Sequence, residues 1–213
     1  MIEIITPADS YDLTTVDAIE LRIGTQDEST RAKLAILIKS ASDFVRKYCG
    51  REFAKETIKE TLPGSGMAIL MLSRTPIVSV SEILFDGAPF TNYVIRDTEA
   101  GFLYSNSGWY DTSLLSNSIE AHPIPNSKEP LYEVTYTGGY ILPTSTGVRN
   151  LPYDLEEAVI NLVRDQSERS AGNVKSVRIG DYSVTYGAME SAIQSASLTE
   201  TKSILDNYRR IEF

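Results

Sequence analysis

Cysteine, histidine and tryptophan each occur once in this chain of 213 residues. A single cysteine, Cys49, excludes an intrachain disulfide and fits synthesis in a reducing compartment. A Ser-His-Asp or Cys-His catalytic pair would have to use His122, which sits in a polar stretch beside Pro123. One histidine and one cysteine make no zinc site without carboxylates, and no Asp/Glu run has the spacing of a calcium loop. No metal or other cofactor is therefore expected. Gly64-Ser65-Gly66 lacks the third glycine of a dinucleotide loop and the Gly-Lys-Ser/Thr of a phosphate loop, and reads as a turn. The longest apolar runs, Met67–Leu72 and Leu34–Ile38, fall far short of the ~20 residues that span a bilayer, so no membrane contact is expected. Met1–Pro7 has no basic stretch and no long apolar core, so no signal peptide is expected there. Basic residues are also in deficit: 20 Lys and Arg stand against 29 Asp and Glu, a net charge of −9. Nucleic-acid binders usually present a basic face, so a general phosphate-gripping surface is not expected.

What is present is ordinary globular chemistry, with 42% hydrophobic and 23% charged residues. Its arrangement is informative. Thr14 or Thr15 can cap a first helix with Val16, Ile19 and Ile23 on one face and Gly24 as its stop. A second helix starts near Asp27 or Ser29. Leu34, Leu37, Ile38, Ala41, Val45 and Tyr48 form its apolar stripe, and Gly50 ends it. The period then changes to two. Thr57–Leu62 alternates as a half-exposed strand, Met67–Leu72 and Val78–Ile83 continue as strands, and Asp86-Gly87 and Thr98–Gly101 mark hairpin turns. Residues 105–130 read as a long polar loop, with a short strand around Ile119. Leu131–Tyr136 closes this part as a strand. Pro152 suits the first position of a further helix, with Asp154, Glu156 and Glu157 in its first turn and Leu155, Ala158, Val159, Leu162 and Val163 buried. Val174–Tyr186, centred on Gly180-Asp181, reads as a hairpin. Ser197 and Glu200 form a capping box for a last helix over 197–210. There is no internal repeat and no low-complexity tract.

These elements predict an α+β fold. N- and C-terminal helices form a mostly helical bundle, residues 1–53 and 141–213 with a hairpin at 172–187. Residues 54–140 form an inserted antiparallel β-domain. Leu37 and Leu162 are expected to be buried where the two ends of the chain pack together. The last helix follows the polar stretch Glu190–Ser197, so it is expected to be tethered rather than embedded. Its end combines Tyr208, Arg209, Arg210, Ile211 and Phe213, and tyrosine and arginine are favoured interface anchors. Val177, Tyr182, Val184 and Tyr186 make the 172–187 hairpin a candidate edge for pairing with another chain.

The order and spacing of these pieces resemble the head-tail connector, or adaptor, proteins of tailed bacteriophages, a family of head completion proteins. The resemblance is carried by Leu13–Ala18 with Leu21-Arg22-Ile23-Gly24, by Tyr48–Phe53, by Leu70–Leu72, and by Arg74–Val80 with Asp86-Gly87. Val134–Tyr140 follows, then Leu151-Pro152 with Glu156-Glu157-Ala158, and Ile179–Tyr186. It covers nearly the whole chain. The insert is larger than in the shorter members, and the 105–130 loop is an addition. The resemblance implies a non-enzymatic virion protein of the neck, made in the host bacterial cytoplasm. It implies a ring of identical subunits, usually twelve, beneath the portal protein, which extends the DNA channel without binding DNA specifically and gives the tail or a stopper protein its platform. It implies portal contact through Tyr208–Phe213, because C-terminal segments in the family reach toward the portal; the hairpin's edge residues by themselves suggest contact with a subunit or neck neighbour.

Two other readings stand beside it. The aromatic insert, with Trp109 and Tyr110 in its loop, suits a carbohydrate- or peptide-binding module. The abundant carboxylates suit a two-carboxylate hydrolase, although nothing in the sequence places two of them in one cleft. Oligomeric state with and without a portal separates the adaptor from both.

Overall fold

A computed structural model describes residues 1–24, 26–111, 131–144, 148–170, 176–179, 182–185 and 199–210. The chain divides into two compact units, one of Met1–Asp9 with Glu52–Tyr140 and one of Ser10–Arg51 with Ile141–Phe213. Both helices and antiparallel sheets are present, as an α+β chain requires.

The first unit holds two sheets. One has the strand order β1 (Ile2–Thr6), β2 (Glu56–Leu62), β8 (Tyr132–Gly138), β4 (Ile77–Phe85), β5 (Ala88–Pro89); the other has β3 (Ile69–Met71), β7 (Phe102–Tyr104), β6 (Val94–Asp97). All pairings are antiparallel. In β8, Tyr132, Val134 and Tyr136 point to the core while Glu133, Thr135 and Thr137 are half-exposed, as a two-residue period demands. Both sheets feed one core, built on Ile58, Leu70, Ile83, Leu103, Trp109 and Tyr132 among others. The β4–β5 turn is Asp86-Gly87, with φ of 50° and 77°, the left-handed pair that a two-residue hairpin needs.

β1 is a difference from the sequence reading, which assigned residues 1–53 to the helical part. Residues 1–9 cluster with the sheet instead. Ile2 and Ile4 oppose Glu60 and Ile58 of β2, so pairing to a distant strand, not local pattern, recruits this segment.

The second unit contains α1 (Val16–Ile23), α2 (Glu28–Cys49), α3 (Tyr153–Ser170) and a helical segment over 199–206. Thr15 caps α1 by accepting from the Ala18 N–H at 3.1 Å, and Asp27 caps α2 by accepting from the Thr30 N–H at 2.8 Å. Each such cap is worth ~1 kcal/mol. Gly50 ends α2 at φ 64°, and its N–H bonds back to Arg46 and Lys47. Pro152 lies one position earlier than expected: its carbonyl accepts from the Glu156 N–H, so it precedes the helix.

α2 packs against α3. Leu34, Ile38, Ala41 and Val45 of α2 and Leu155, Ala158, Val159 and Val163 of α3 are buried. Leu37 and Leu162 are only half-buried, at the margin of their stripes. β9 (Ser176–Ile179) and β10 (Tyr182–Thr185) pair antiparallel, as expected for the hairpin. The expected strand near Ile119, most of the 105–130 loop with His122, the Ser197 cap and the Gly180-Asp181 turn lie outside the described residues.

Candidate functional site

The carboxylates were one candidate for chemistry, and the buried Glu56, Glu60 and Glu156 are held by the protein itself. Glu156 at the start of α3 is buried; Thr14 Oγ1 donates to it at 3.1 Å, and Arg149 donates to its other oxygen. Arg149 also donates to the Leu151 carbonyl at 2.7 Å and stacks on Tyr153 at 4.2 Å. Glu157 takes a two-pronged contact from Arg22, at 3.0 and 2.6 Å. The Leu13 N–H donates to Ser42 Oγ at 3.0 Å. The Leu13–Ala18 segment, α1 and the Glu156-Glu157 turn, far apart in sequence, are thereby tied to one another. Sequence reasoning assigned Glu156 and Glu157 to the helix dipole alone and missed these partners.

A second carboxylate group lies inside the first unit. Glu56 and Glu60 share the inner face of β2 with Ile58, and both are 2% exposed. Glu60 accepts from Tyr136 Oη at 2.7 Å, from the Ser73 N–H at 3.0 Å and from Ser73 Oγ. Glu56 accepts from Arg74 Nε at 3.0 Å, and the Arg74 N–H donates to Tyr136 Oη at 2.8 Å. Burial pushes the Tyr136 phenol far above its usual range, and the neighbouring Glu60 adds to the shift. With every donor supplied by the chain, this is a satisfied polar network of the kind that fixes a core. The period-two pattern puts Glu56, Ile58 and Glu60 on one face, which was the available signal.

The same corner explains the glycines of Tyr136–Tyr140. A Cβ on Gly138 would lie 2.4 Å from the Arg74 carbonyl oxygen, and one on Gly139 2.3 Å from that of Ala54. Two backbones press against the end of β8, and only glycine admits them.

The aromatic insert is not a stacking surface at Trp109. Its indole is fully buried, Nε1 donates to the Ala68 carbonyl at 3.1 Å, and the ring meets Phe90 and Tyr132 at 5.1 and 5.0 Å. Tyr110 alone of the pair is exposed. The binding-module alternative, which drew on Trp109 and Tyr110, loses Trp109 to this packing. Among the described residues no cluster of three or more His, Cys, Asp or Glu is placed to hold a metal ion. No helix among them is long and apolar enough to cross a membrane.

The C-terminal segment is embedded, contrary to the expected tether. Leu205 is fully buried and Thr201 is 2% exposed. Cys49 Sγ–H donates to the Leu205 carbonyl at 3.6 Å, and the Arg210 N–H donates to the Cys49 carbonyl at 2.8 Å. Tyr48 Oη donates to Asp206 at 2.8 Å, a bond that holds the phenol above its ordinary pKa. Tyr208 Oη donates to Asp154 at 2.6 Å. Leu205 at the right helical spacing from Thr201 was the sequence signal; the polar stretch before it obscured that signal. Tyr208 is half-buried, Arg209 and Arg210 remain exposed, and Arg209 lies 5.6 Å from the Tyr48 ring centre. Ile211 and Phe213 lie outside the described residues, as does Tyr186. Val177, Tyr182 and Val184 are placed on the paired strands β9 and β10.

The geometry therefore offers surfaces and no reaction centre among the described residues. A family model described as "Head completion protein" matches residues 12–211. No curated protein matches the sequence. Among solved structures, the fold is similar to a chain in the neck of an empty gene transfer agent (GTA) particle computed with C6 symmetry: TM-score 0.58, 16% identity, covering 100% of this chain and 97% of that one. A chain in the neck of the native particle, computed with C12 symmetry, gives 0.56 at 12% identity with the same coverage. One in the virion of the native particle gives 0.55 at 12% identity, again over 100% and 97%.

Proposed function

Because this chain belongs to the head completion protein family, we propose that it is a structural virion protein of the neck, a head-tail connector whose copies form a ring below the portal. The carrying observation is that family match over residues 12–211. The likeness to neck chains along the full length supports it. The C12 symmetry of one of those necks favours a dodecamer. The helical unit acts as the bundle of the adaptor, the ring extends the DNA channel, and its far side receives the tail or a stopper protein. The role is one of assembly and not of catalysis. A net charge of −9 suits a channel through which DNA slides without being held.

Within this reading, the exposed Arg209 and Arg210, with Tyr208, Ile211 and Phe213, contact the portal. The β9–β10 pair, with Val177, Tyr182, Val184 and Tyr186, contacts a neighbouring subunit or neck protein. The carbohydrate- or peptide-binding alternative loses its main support with Trp109 in the core. The test is addition of the purified chain to portal-bearing heads that lack it. Rings under the portal, seen by electron microscopy, and restored tail attachment are expected. Attachment should fall sharply for Arg209→Glu with Arg210→Glu while the fold is kept. Heads that gain no density at the portal would refute the assignment.

A further inference from the structure

β1 is exposed along its whole length, and three of its five residues are isoleucine. Ile2, Ile4 and Ile5 are 43, 48 and 50% exposed. β2 covers one side of the strand; among the described residues nothing pairs with the other. Met1 and Thr61 exchange backbone bonds of 3.0 and 2.8 Å. In an antiparallel ladder this alternation turns the N–H and C=O groups of Ile2 and Ile4 toward the open side. Residues 1–6 carry no lysine, arginine or proline, the residues that usually blunt an open edge.

The opposite margin of the same sheet is open as well. β5 pairs with β4 only at Leu84 and Phe85. Val78–Glu82, a stretch as long as β1 and bulged at two places against β8, has no strand on its other side among the described residues. Next to it runs an open groove of ≈ 700 Å³ lined by Glu82, Ile83, Phe90, Tyr93, Val94 and Ile95. Its far wall, β6, is exposed at every residue.

We infer that β1 of one copy lies along Val78–Glu82 of the next copy, with its isoleucines in this groove. The inference rests on the ring reading above and names the contact that would build the ring. Strand direction selects a second copy as the occupant. Directions alternate through β1, β2, β8 and β4. In copies related by a rotation axis along the strands, β1 meets β4 antiparallel, and the alternation runs on through the joint. Two unlike edges on one subunit form a heterologous contact, and such a contact propagates until the rotation closes. Glu3 is the one charged side chain of β1; the acceptor segment carries Glu82, and Arg96 is exposed on β6 beyond the groove lining, so strand direction and not charge selects the occupant.

The experiment uses the full chain with Ile4→Cys and Ser81→Cys, assembled on portal-bearing heads and then oxidised. A ladder of covalent oligomers on a denaturing gel is expected, and neither single variant should give one. Rings visible by microscopy with only monomer bands would overturn the strand pairing and leave the ring reading intact. Heads without any ring would remove both. Dimers from Ile4→Cys alone would mean that β1 pairs with its own copy, and would overturn the inference. A second variant, Ile2→Lys with Ile4→Lys, should keep the monomer's thermal midpoint, because both sites are exposed. It should lower incorporation about tenfold or more, since two ammonium groups would enter an apolar groove. Incorporation at the wild-type level would equally overturn the inference.

Discussion

Leu205→Ala tests whether the C-terminal helix belongs to the core of its unit. Leu205 is fully buried, its carbonyl receives the Cys49 thiol, and the chain beyond it is pinned by the Arg210–Cys49 and Tyr208–Asp154 bonds. These ties on both sides limit how far the segment can collapse into the space left behind. The cost should therefore reach the usual range for a buried leucine, ~2–5 kcal/mol. At roughly 2–4 °C per kcal/mol for a chain of this size, the midpoint should fall on the order of 10 °C. Differential scanning calorimetry reads the midpoint, and urea denaturation gives the free energy. Arg209→Ala with Arg210→Ala is the control. Both side chains are exposed, so their loss should stay within about ±0.5 kcal/mol. If Leu205→Ala melted within about 1 °C of wild type, the segment would be a tether and the packing argument would be wrong.

Two further outcomes follow from buried polar groups. Tyr136→Phe removes the 2.7 Å bond to the Glu60 carboxylate and the acceptor of the Arg74 N–H, so it should cost ~1.5–3 kcal/mol in urea unfolding, and a change below about 0.5 kcal/mol would contradict the network. Burial pushes the Cys49 thiol up to about 11 from its ordinary value of 9.0. Above the unfolded value the unfolded chain loses its proton first, so the stabilising contribution is complete below pH 9 and fades as pH rises toward 11. The difference in unfolding free energy between wild type and Cys49→Ala should narrow when measured at pH 10 instead of pH 8. A constant difference would count against the burial of the thiol.

Local chemistry determined most of the element list. Thr15, Gly24, Asp27 and Gly50 bound two helices because caps act within one turn. Asp86-Gly87 marks a hairpin because few residue pairs accept two left-handed conformations. The change from a period near 3.6 to a period of two separates the helices from the β segment. The order of these pieces pointed to the connector family. Tertiary structure decided the rest. β1 is a strand because β2 lies beside it, and nothing within Met1–Asp9 announces that partner. Trp109 is core and not a docking residue because Phe90, Tyr132 and the Ala68 carbonyl converge on it. Glu56 and Glu60 face inward because Ser73 and Arg74 of the β3–β4 connection and Tyr136 of β8 bring donors to them. The helix over 199–206 is embedded because α2 and α3 present Cys49, Tyr48 and Asp154 to it. Each of these outcomes depends on groups far apart in sequence, where burial and hydrogen-bond satisfaction are settled by what the folded chain brings within reach.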